Sequence, residues 1–499
     1  MRKKLLDSIF SDHMVLPADK RFSVGGTTVE GARVMGRIAN QEVSTIADQT
    51  GSFTLYFDPI SDRQGSYTLT VKAEDKTETV SDIRFGKVLM FAGQSNIEFE
   101  LKDDPSFEGL CKSYIEKDIY FYNVPKIEYI EADGSIIPND LAVGIWKKIS
   151  KKNLGEVSAI AFYAACKIME GMDGREAIGI VDCYKGGTSA SCWLPESVLT
   201  EDEELYHHFL APYKQATIGK SESDFSELLD QYQKKVNEHQ KNLADYRKQF
   251  PDISLSEAKH VVGHTPWPPP MHPRSYLRPG GLFQTMILPL KNITLNHIIW
   301  YQGENDTENT QVYEKLLTKL IFSWRELFQD NSLPFTLIQL PGYADGEADT
   351  WAQIRSIQQK AVRIPEVHLV SIADTGERHN IHPADKSQAG KRLGELLSEK
   401  TYQSTPMLEQ AIQAKESLEL IFSGCYELSF ENDCMIYGRV ENSWEQFESK
   451  NLTLKGNRLC ISLEKEIEAV KYGYENFPVL SIYNEKMYPV APFYRELKA

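Results

Sequence analysis

The sequence contains few cysteines, and their arrangement does not suggest a covalent or metal framework. Its 499 residues include 7 cysteines, an odd number, and no two of them form a C-x-x-C pair. Neither a disulfide framework nor a zinc site is therefore predicted. We expect reduced thiols, no metal and no cofactor.

Positive charge and long apolar runs are also scarce. Lys and Arg number 55 against 71 Asp and Glu, a formal net charge of -16. Such a surface repels phosphate backbones and anionic lipid, so we predict neither nucleic acid nor membrane as a partner. The first residues of the chain resemble a signal peptide, but Asp7, Ser8 and Asp12 interrupt the apolar segment that a signal peptide needs. A cytoplasmic location is expected; the alternative is a secreted or periplasmic protein whose leader was removed.

The pattern of apolar residues changes twice along the chain. Residues 1–85 contain short alternating runs, typical of a small antiparallel β domain. Residues 86–400 alternate apolar strands with helical segments, which is the pattern of a parallel sheet covered on both faces. A helical and Pro-rich insertion is predicted at about 200–280, and β patterning returns in residues 401–499.

Within the middle region the chemistry-bearing residues are expected just after strands. The predicted strands are 87–92, 177–182, 297–301, 335–340 and 368–372. The predicted helices are 158–170, 222–250, 311–328, 351–362 and 384–398.

The most informative motif is Gly93-Gln94-Ser95-Asn96, which follows the apolar residues 88–92. A serine at the carboxyl end of a buried strand occupies the position where α/β sheets carry reactive groups. Taken alone, such a G-x-S match is more often an ordinary strand-to-helix turn. Three other segments of the chain favour the hypothesis that Ser95 is a nucleophile.

Two of these segments supply hydrogen-bond donors. Gly186-Gly187 follows the strand at 177–182, and paired glycines let backbone N–H groups approach a ligand. Asn305 follows the strand at 297–301, where its amide can donate to a developing oxyanion. We interpret its neighbour Glu304 as a buried acceptor rather than a catalytic acid.

A third segment supplies a base. His382 lies in the loop Asn380-Ile381-His382-Pro383, before a helix whose first positions are predicted to be Pro383 and Ala384. A histidine in this loop can accept the proton of Ser95 and return it to a leaving alcohol.

Together these blocks resemble the SGNH hydrolase superfamily, and more narrowly the sialate O-acetylesterase family. The similarity runs over nearly the whole chain, and it includes Phe91-Ala92-Gly93-Gln94-Ser95-Asn96, Trp300-Tyr301-Gln302-Gly303-Glu304 and Ile381-His382-Pro383. It implies an α/β, flavodoxin-like three-layer sandwich with a parallel sheet, flanked by N-terminal and C-terminal β domains.

The resemblance also implies roles for individual residues. Ser95 would be the nucleophile and His382 the base, with an oxyanion hole formed by Ser95, Gly187 and Asn305. The neighbouring residues predicted to bind substrate are Gln94, Asn96, Gln302 and Glu304.

One position departs from the superfamily pattern. An acid is usual three residues before the histidine, and many close relatives have one two residues before it. These positions are His379 and Asn380 here. We therefore predict a Ser-His dyad, with Asn380 orienting the base and Asp374 as the reserve carboxylate.

The function that this resemblance implies is hydrolysis of O-acetyl esters of sialic acid. The alternatives are an acetylesterase acting on xylan or another neutral glycan, and a non-catalytic carbohydrate-binding protein with two β modules. A sialic acid carboxylate would need a cation in this acidic protein, and Arg274, Arg278 and Arg378 are the predicted candidates.

Overall fold

The N-terminal region is a set of short antiparallel strands that leads into one long strand. The computed structural model describes residues 4–60, 63–139, 141–172, 176–398, 405–431 and 433–497. The first strands are β1 (Val15–Pro17), β2 (Phe22–Thr27), β3 (Arg33–Ile38), β4 (Gln41–Ile46), β5 (Ser52–Phe57), β6 (Tyr67–Ala73) and β7 (Lys76–Gly93). β3 pairs with β4 and β6, and β2 pairs with β5, all antiparallel.

The middle region forms the central sheet and its helices. Its strands are β8 (Ile119–Asn123), β9 (Tyr129–Ile130), β10 (Ile136–Ile137), β11 (Trp146–Lys148), β12 (Ala177–Tyr184), β13 (His297–Tyr301), β14 (Phe335–Gln339) and β15 (Val367–Ser371). Its α-helices are α1 (Ser95–Glu98), α2 (Phe107–Ser113), α3 (Ala159–Glu170), α4 (Glu196–Glu201), α5 (Glu203–Leu205), α6 (Ala211–Thr217), α7 (Glu222–Gln249), α8 (Leu255–Val262), α9 (Thr310–Leu327), α10 (Thr350–Lys360) and α11 (Ser387–Ser398).

The central sheet is mostly parallel. Its strand order is β11-β8-β12-β7-β13-β14-β15, and only β11 runs antiparallel to its neighbour. Among the helices that connect its strands, α9 packs against α10, and α3 packs against α11. The expected mixed α/β fold with a parallel sheet and additional β regions is confirmed.

β7 joins the N-terminal strands to this sheet. Its first half pairs antiparallel with β6, and its second half lies between β12 and β13. The buried residues of both regions form one continuous hydrophobic core. A single strand therefore crosses the predicted boundary at residue 85, and the division into three domains remains a prediction.

The C-terminal strands enclose a second hydrophobic core. They are β16 (Met407–Ala414), β17 (Ser417–Ser423), β18 (Leu428–Phe430), β19 (Ile436–Val440), β20 (Ser443–Gln446), β21 (Leu452–Lys455), β22 (Arg458–Ser462), β23 (Ala469–Tyr472), β24 (Ile482–Asn484) and β25 (Phe493–Glu496). Arg355, which is fully buried, links this region to α10 by donating to the carbonyls of Glu475 and Asn476.

Most of the predicted elements are confirmed. Among the differences, β8 and β11, at one end of the strand order, were not predicted; β11 has only 3 residues, whereas β8 is as long as β13. The last helix begins at Ser387 rather than Ala384, since the Ala384 N–H donates to the Glu377 carboxylate and stays in the loop. Among the described residues, no helix is both long and apolar enough to span a membrane.

Candidate active site

Ser95 lies at the carboxyl end of the central strand of the sheet. It is the first residue of α1 and directly follows the turn that ends β7. Gly93 has φ +142, and a Cβ there would lie 2.0 Å from the Tyr301 carbonyl oxygen. Only glycine fits this close approach of β7 and β13, so the turn that presents Ser95 depends on it.

His382 reaches Ser95 from the loop between β15 and α11. Its Nε2 lies 2.8 Å from the Ser95 Oγ, within hydrogen-bond distance. The Asn380 side-chain oxygen accepts from the His382 backbone N–H at 3.1 Å, and the Asn380 amide donates to Glu377 at 3.0 Å. Asn380 therefore shapes the backbone of the loop.

Asn305 lies in a short 3₁₀ helix, Glu304–Asn309, that follows β13. Its backbone N–H donates to the Gln94 side chain at 3.3 Å, and its Oδ1 accepts from the Trp267 indole at 3.3 Å. Because the Trp267 indole can only donate, its partner must be the oxygen of the Asn305 amide, and Nδ2 is left as a hydrogen-bond donor. The Trp267 ring also covers Gly187, where a Cβ would lie 2.5 Å from the ring.

The Asn96 side chain connects the segments that carry Ser95, Asn305 and His382. Its Nδ2 donates to Glu304 Oε1 at 2.6 Å and to the Ile381 carbonyl at 2.9 Å. Its Oδ1 accepts from Lys386 Nζ at 2.6 Å. Asn96 is fully buried, so it does not meet substrate, in contrast to the prediction. Asn96 therefore links the residues that adjoin Ser95, Asn305 and His382 in the chain.

Burial and the charges near the Asn96 amide shift the pKa values of the ionisable groups in the site. Burial raises the pKa of the Glu304 carboxyl, and burial lowers the pKa of Lys386 to about 7. Burial, with the positive charges of Lys386 and Lys259, lowers the pKa of His382 to about 4. The imidazole is therefore neutral at pH 7, as a general base must be.

No carboxylate completes a triad among the described residues. Asp374, the predicted reserve, pairs with Arg392 through two contacts of 2.6 and 2.8 Å. Both of its oxygens are thus engaged away from His382. This corrects the prediction that Asp374 reaches the base.

Gln302 is also a structural residue rather than the predicted substrate ligand. It is fully buried and donates to Asp306 at 2.6 Å and to the Thr188 carbonyl at 3.1 Å. Asp306 accepts in turn from Ala190 N–H at 2.8 Å and Ser189 Oγ at 2.7 Å. These contacts fix the chain just after the Gly186-Gly187 turn. Gln94 is likewise buried, and its side-chain oxygen accepts a hydrogen bond from the Asn305 backbone N–H.

Two of the three arginines predicted to hold a substrate carboxylate are engaged by other groups. Arg274 pairs with Glu131 and Glu222, both at 2.5 Å. Arg278 is 7% exposed and donates to the carbonyls of Glu128 and Ser275. Arg378 is exposed and lies over the Phe477 ring, so its role stays a prediction. The sequence shows the charges of Arg274 and Arg278 but not the groups that they contact.

A cavity of about 730 Å³ opens beside Asn305. We call it the Trp267 cavity; it is lined by Trp267, Pro268, Met271, Phe209, Tyr213 and Asn305, among others. No lysine or arginine lies among the described residues that line it. The insertion between β12 and β13 supplies most of the wall, and Trp267, 49% exposed, offers an aromatic face of the kind that packs on sugars.

Comparison with known proteins finds similar esterases. Residues 272–403 match the family described as "Carbohydrate esterase, sialic acid-specific acetylesterase". Over 538 aligned residues, covering 95% of this chain and 90% of the relative, the chain is 22% identical to the sialate O-acetylesterase of Mus musculus. It is 33% identical over 402 residues to that of Homo sapiens, covering 74% of this chain and 65% of the human protein. The chain is therefore similar to sialate O-acetylesterases over most of its length.

A solved structure shares the fold of this chain over its whole length. A carbohydrate acetylesterase from Xanthomonas citri aligns with a TM-score of 0.74 at 20% identity, covering 99% of both chains. The β regions at both ends of the chain are therefore part of the shared fold.

Two residues near the site, Trp267 and Lys386, were not predicted from the sequence. Trp267 lies within the predicted Pro-rich insertion, and the only signal for it is that long inserted loops near strand ends often line pockets. Lys386 gave no signal, because a lysine early in a helix is ordinarily solvated. Its burial, with 3% exposed, follows only from the packing of α11 on the sheet.

Replacing Asn96 by Ala should lower kcat with little change in KM. The variant leaves the Glu304 carboxylate and the Lys386 ammonium without their shared partner, so Ser95 and His382 lose their relative placement. A loss of about a hundredfold is expected, as for misplacement of catalytic groups by about 1 Å. Steady-state kinetics on an aryl acetate measures it.

The matched control is Asn296→Ala at the opposite end of the sheet, where Asn296 accepts from Val88 N–H at 2.8 Å. It removes a comparable hydrogen bond and should spare kcat. Equal kinetic losses in both variants would show that Asn96 acts through general stability alone.

The protein should keep a high kcat/KM far into the acid range. His382 must be neutral to act as base, and its pKa of about 4 lies below the ordinary 6.5, so the acid limb should fall near pH 4. Lys386→Met removes a positive charge near the imidazole, which raises the pKa of His382 and moves the limb to higher pH. Lys391→Met, on the exposed side of α11, is the control. An acid limb at the ordinary histidine value in the parent protein would contradict the assignment.

Proposed function

We propose that this chain is a serine esterase that removes O-acetyl groups from sialic acid through an acyl-enzyme intermediate. The observation that carries the proposal is the 2.8 Å contact between Ser95 Oγ and His382 Nε2 beside Asn305. The relatives to which the chain is similar are named for this activity.

The proposed reaction uses the neutral imidazole twice. Ser95 Oγ attacks the acetyl carbonyl carbon while His382 Nε2 accepts the hydroxyl proton. The sugar oxygen leaves with that proton, and the acetyl group stays on Ser95. Water then attacks the ester, gives its proton to His382, and releases acetate as Ser95 recovers the proton.

Three donors are proposed to stabilise the negative oxygen in both tetrahedral intermediates. They are the backbone N–H groups of Ser95 and Gly187 and the Asn305 Nδ2. The contact with Trp267 supports this role, because its indole donates to the Asn305 Oδ1 and leaves the Nδ2 donor for a ligand. Preorganised donors of this kind cost no reorganisation during the reaction.

We further propose that the catalytic region is an SGNH hydrolase with a Ser-His dyad. The strand order β12-β7-β13-β14-β15 is the flavodoxin-like order 2-1-3-4-5, with β8 and β11 added at one edge. Ser95 follows β7, where that order reverses, and this is the point at which open α/β sheets bind their ligands. The pairing of Asp374 with Arg392 supports a dyad.

A neutral acetylated glycan such as acetylated xylan is the second candidate substrate. The specific observation in its favour is that the described lining of the Trp267 cavity holds no cation to meet a sialic acid carboxylate. Glu304 and Glu308 line it instead, and they would repel an anion. The two candidates share the same chemistry at Ser95 and differ only in the sugar.

Kinetics with matched acetyl donors decides between the substrates. We expect kcat/KM for 9-O-acetyl sialic acid to exceed that for acetylated xylan, with an aryl acetate as the reference for the chemical step. Ser95→Ala should lower activity on all three by more than a thousandfold, because it removes the covalent step. A preference for xylan would assign the neutral glycan, and retention of a tenth of the activity in Ser95→Ala would exclude Ser95 as the nucleophile.

Asn305→Ala should lower kcat by about a hundredfold and leave KM nearly unchanged, as expected for loss of an oxyanion donor. Asn305→Asp is the complementary variant, because it keeps an acceptor for Trp267 and replaces the Nδ2 donor by a carboxylate oxygen, whose charge would also repel an oxyanion. Both variants should be impaired. Restored kcat in Asn305→Asp would mean that Asn305 serves only to position Trp267.

A further inference from the structure

Three histidines and one aspartate from distant parts of the chain meet beside the loop that carries His382. We call this group the histidine cluster: His260, His264, His379 and Asp345. Ligand atoms of His260, Asp345 and His379 all lie within 4.8 Å of one another. His264 Nε2 lies 4.0 Å from Asp345 Oδ2. We propose that this cluster is a binding site for a divalent transition metal of the zinc type.

The separations of the ligand atoms fit such an ion. Two atoms that each bind Zn²⁺ at about 2.1 Å in a tetrahedron are about 3.4 Å apart. Asp345 Oδ1 lies 2.8 Å from His379 Nδ1 and 3.3 Å from His260 Nδ1. The two imidazole rings are 4.3 Å apart between centroids, so both Nδ1 atoms converge on the same carboxylate.

The hydrogen bonding of Asp345 points to a ligand as well. Its side chain is 11% exposed. Its Oδ2 is buried and has no hydrogen-bond partner among the described residues. A buried carboxylate oxygen without a donor is costly, and a cation bound to it would remove that cost. Imidazole nitrogen with carboxylate oxygen is a donor set that selects zinc-like ions over Mg²⁺ and Ca²⁺.

The cluster joins three segments that surround the active site. His260 lies in α8 of the insertion, and Gly263, with φ +101, turns the chain so that His264 follows beside it. Asp345 lies in the loop after β14, and His379 lies three residues before His382. Ser256 of α8 also donates to the His379 carbonyl.

A metal in the histidine cluster would therefore fasten the insertion to the loop that holds the catalytic base. Cysteine spacing could not reveal this site, because its ligands are histidines and an aspartate that are far apart in the sequence. This inference adds a structural metal to the predicted metal-free esterase and does not depend on which ester is hydrolysed.

Isothermal titration of the tag-free, chelator-treated protein with Zn²⁺ tests the proposal. We expect saturable binding of one ion, a higher melting temperature with Zn²⁺, and no comparable response to Mg²⁺ or Ca²⁺. His379→Ala and Asp345→Asn should weaken binding by about a hundredfold or more. Co²⁺ bound at the same site should give visible d–d absorption that disappears in these variants.

Two further variants keep the test decisive if a buried change prevents folding. His260 and His264 have side chains 53% and 55% exposed, so His260→Ala and His264→Ala should fold, and both should weaken binding. The control is His13→Ala, which disrupts an isolated His–Asp pair of 2.7 Å and should leave Zn²⁺ binding unchanged. Absence of saturable binding, or equal binding in the parent and in His260→Ala, would overturn the proposal.

Discussion

The active site depends on one buried amide. Asn96 follows Ser95, and its side chain contacts Glu304, which precedes Asn305, and the carbonyl of Ile381, which precedes His382. These segments are separated by 208 and 285 residues in the chain. An amide suits this position because it donates two hydrogen bonds and accepts others at a fixed angle. A carboxylate could not donate to both oxygens, and an apolar side chain would leave Glu304 and Lys386 buried without a shared partner.

The same network would let His382 act as the proposed base without a carboxylate. In a full triad an aspartate stabilises the imidazolium and fixes the ring. Here the loop is fixed through its backbone, by Asn380 and Glu377, and burial, together with the positive charge of Lys386, lowers the pKa of His382. The imidazole therefore stays neutral over a wide pH range. In the proposed reaction it would gain less stabilisation once it accepts the Ser95 proton, so the proposed oxyanion donors would have to contribute more.

The sequence predicted the parts of this site that follow strand ends and left out the parts that depend on packing. The strand at 297–301 and the position of Ser95 were predictable, because buried parallel strands are continuous apolar runs bounded by glycine. The edge strand β11 was not predictable, since a run of 3 residues carries little pattern. β8 was also missed, although it is as long as the strand at 297–301. The roles of Asn96 and Gln302 were mistaken for substrate binding because a polar residue beside a catalytic motif looks the same in sequence whether it is buried or exposed.

Under the proposed function, substrate choice depends on a region that is remote in the chain from the segments carrying Ser95 and His382. The insertion supplies Trp267, Pro268 and Met271 to the Trp267 cavity, which adjoins Asn305 and is the proposed site of the sugar. Ser256, in α8 of that insertion, donates to the carbonyl of His379, three residues before His382. A change in the insertion would therefore be expected to affect both the cavity wall and the placement of His382. Esterases that share this sheet can differ in substrate without any change in their catalytic residues.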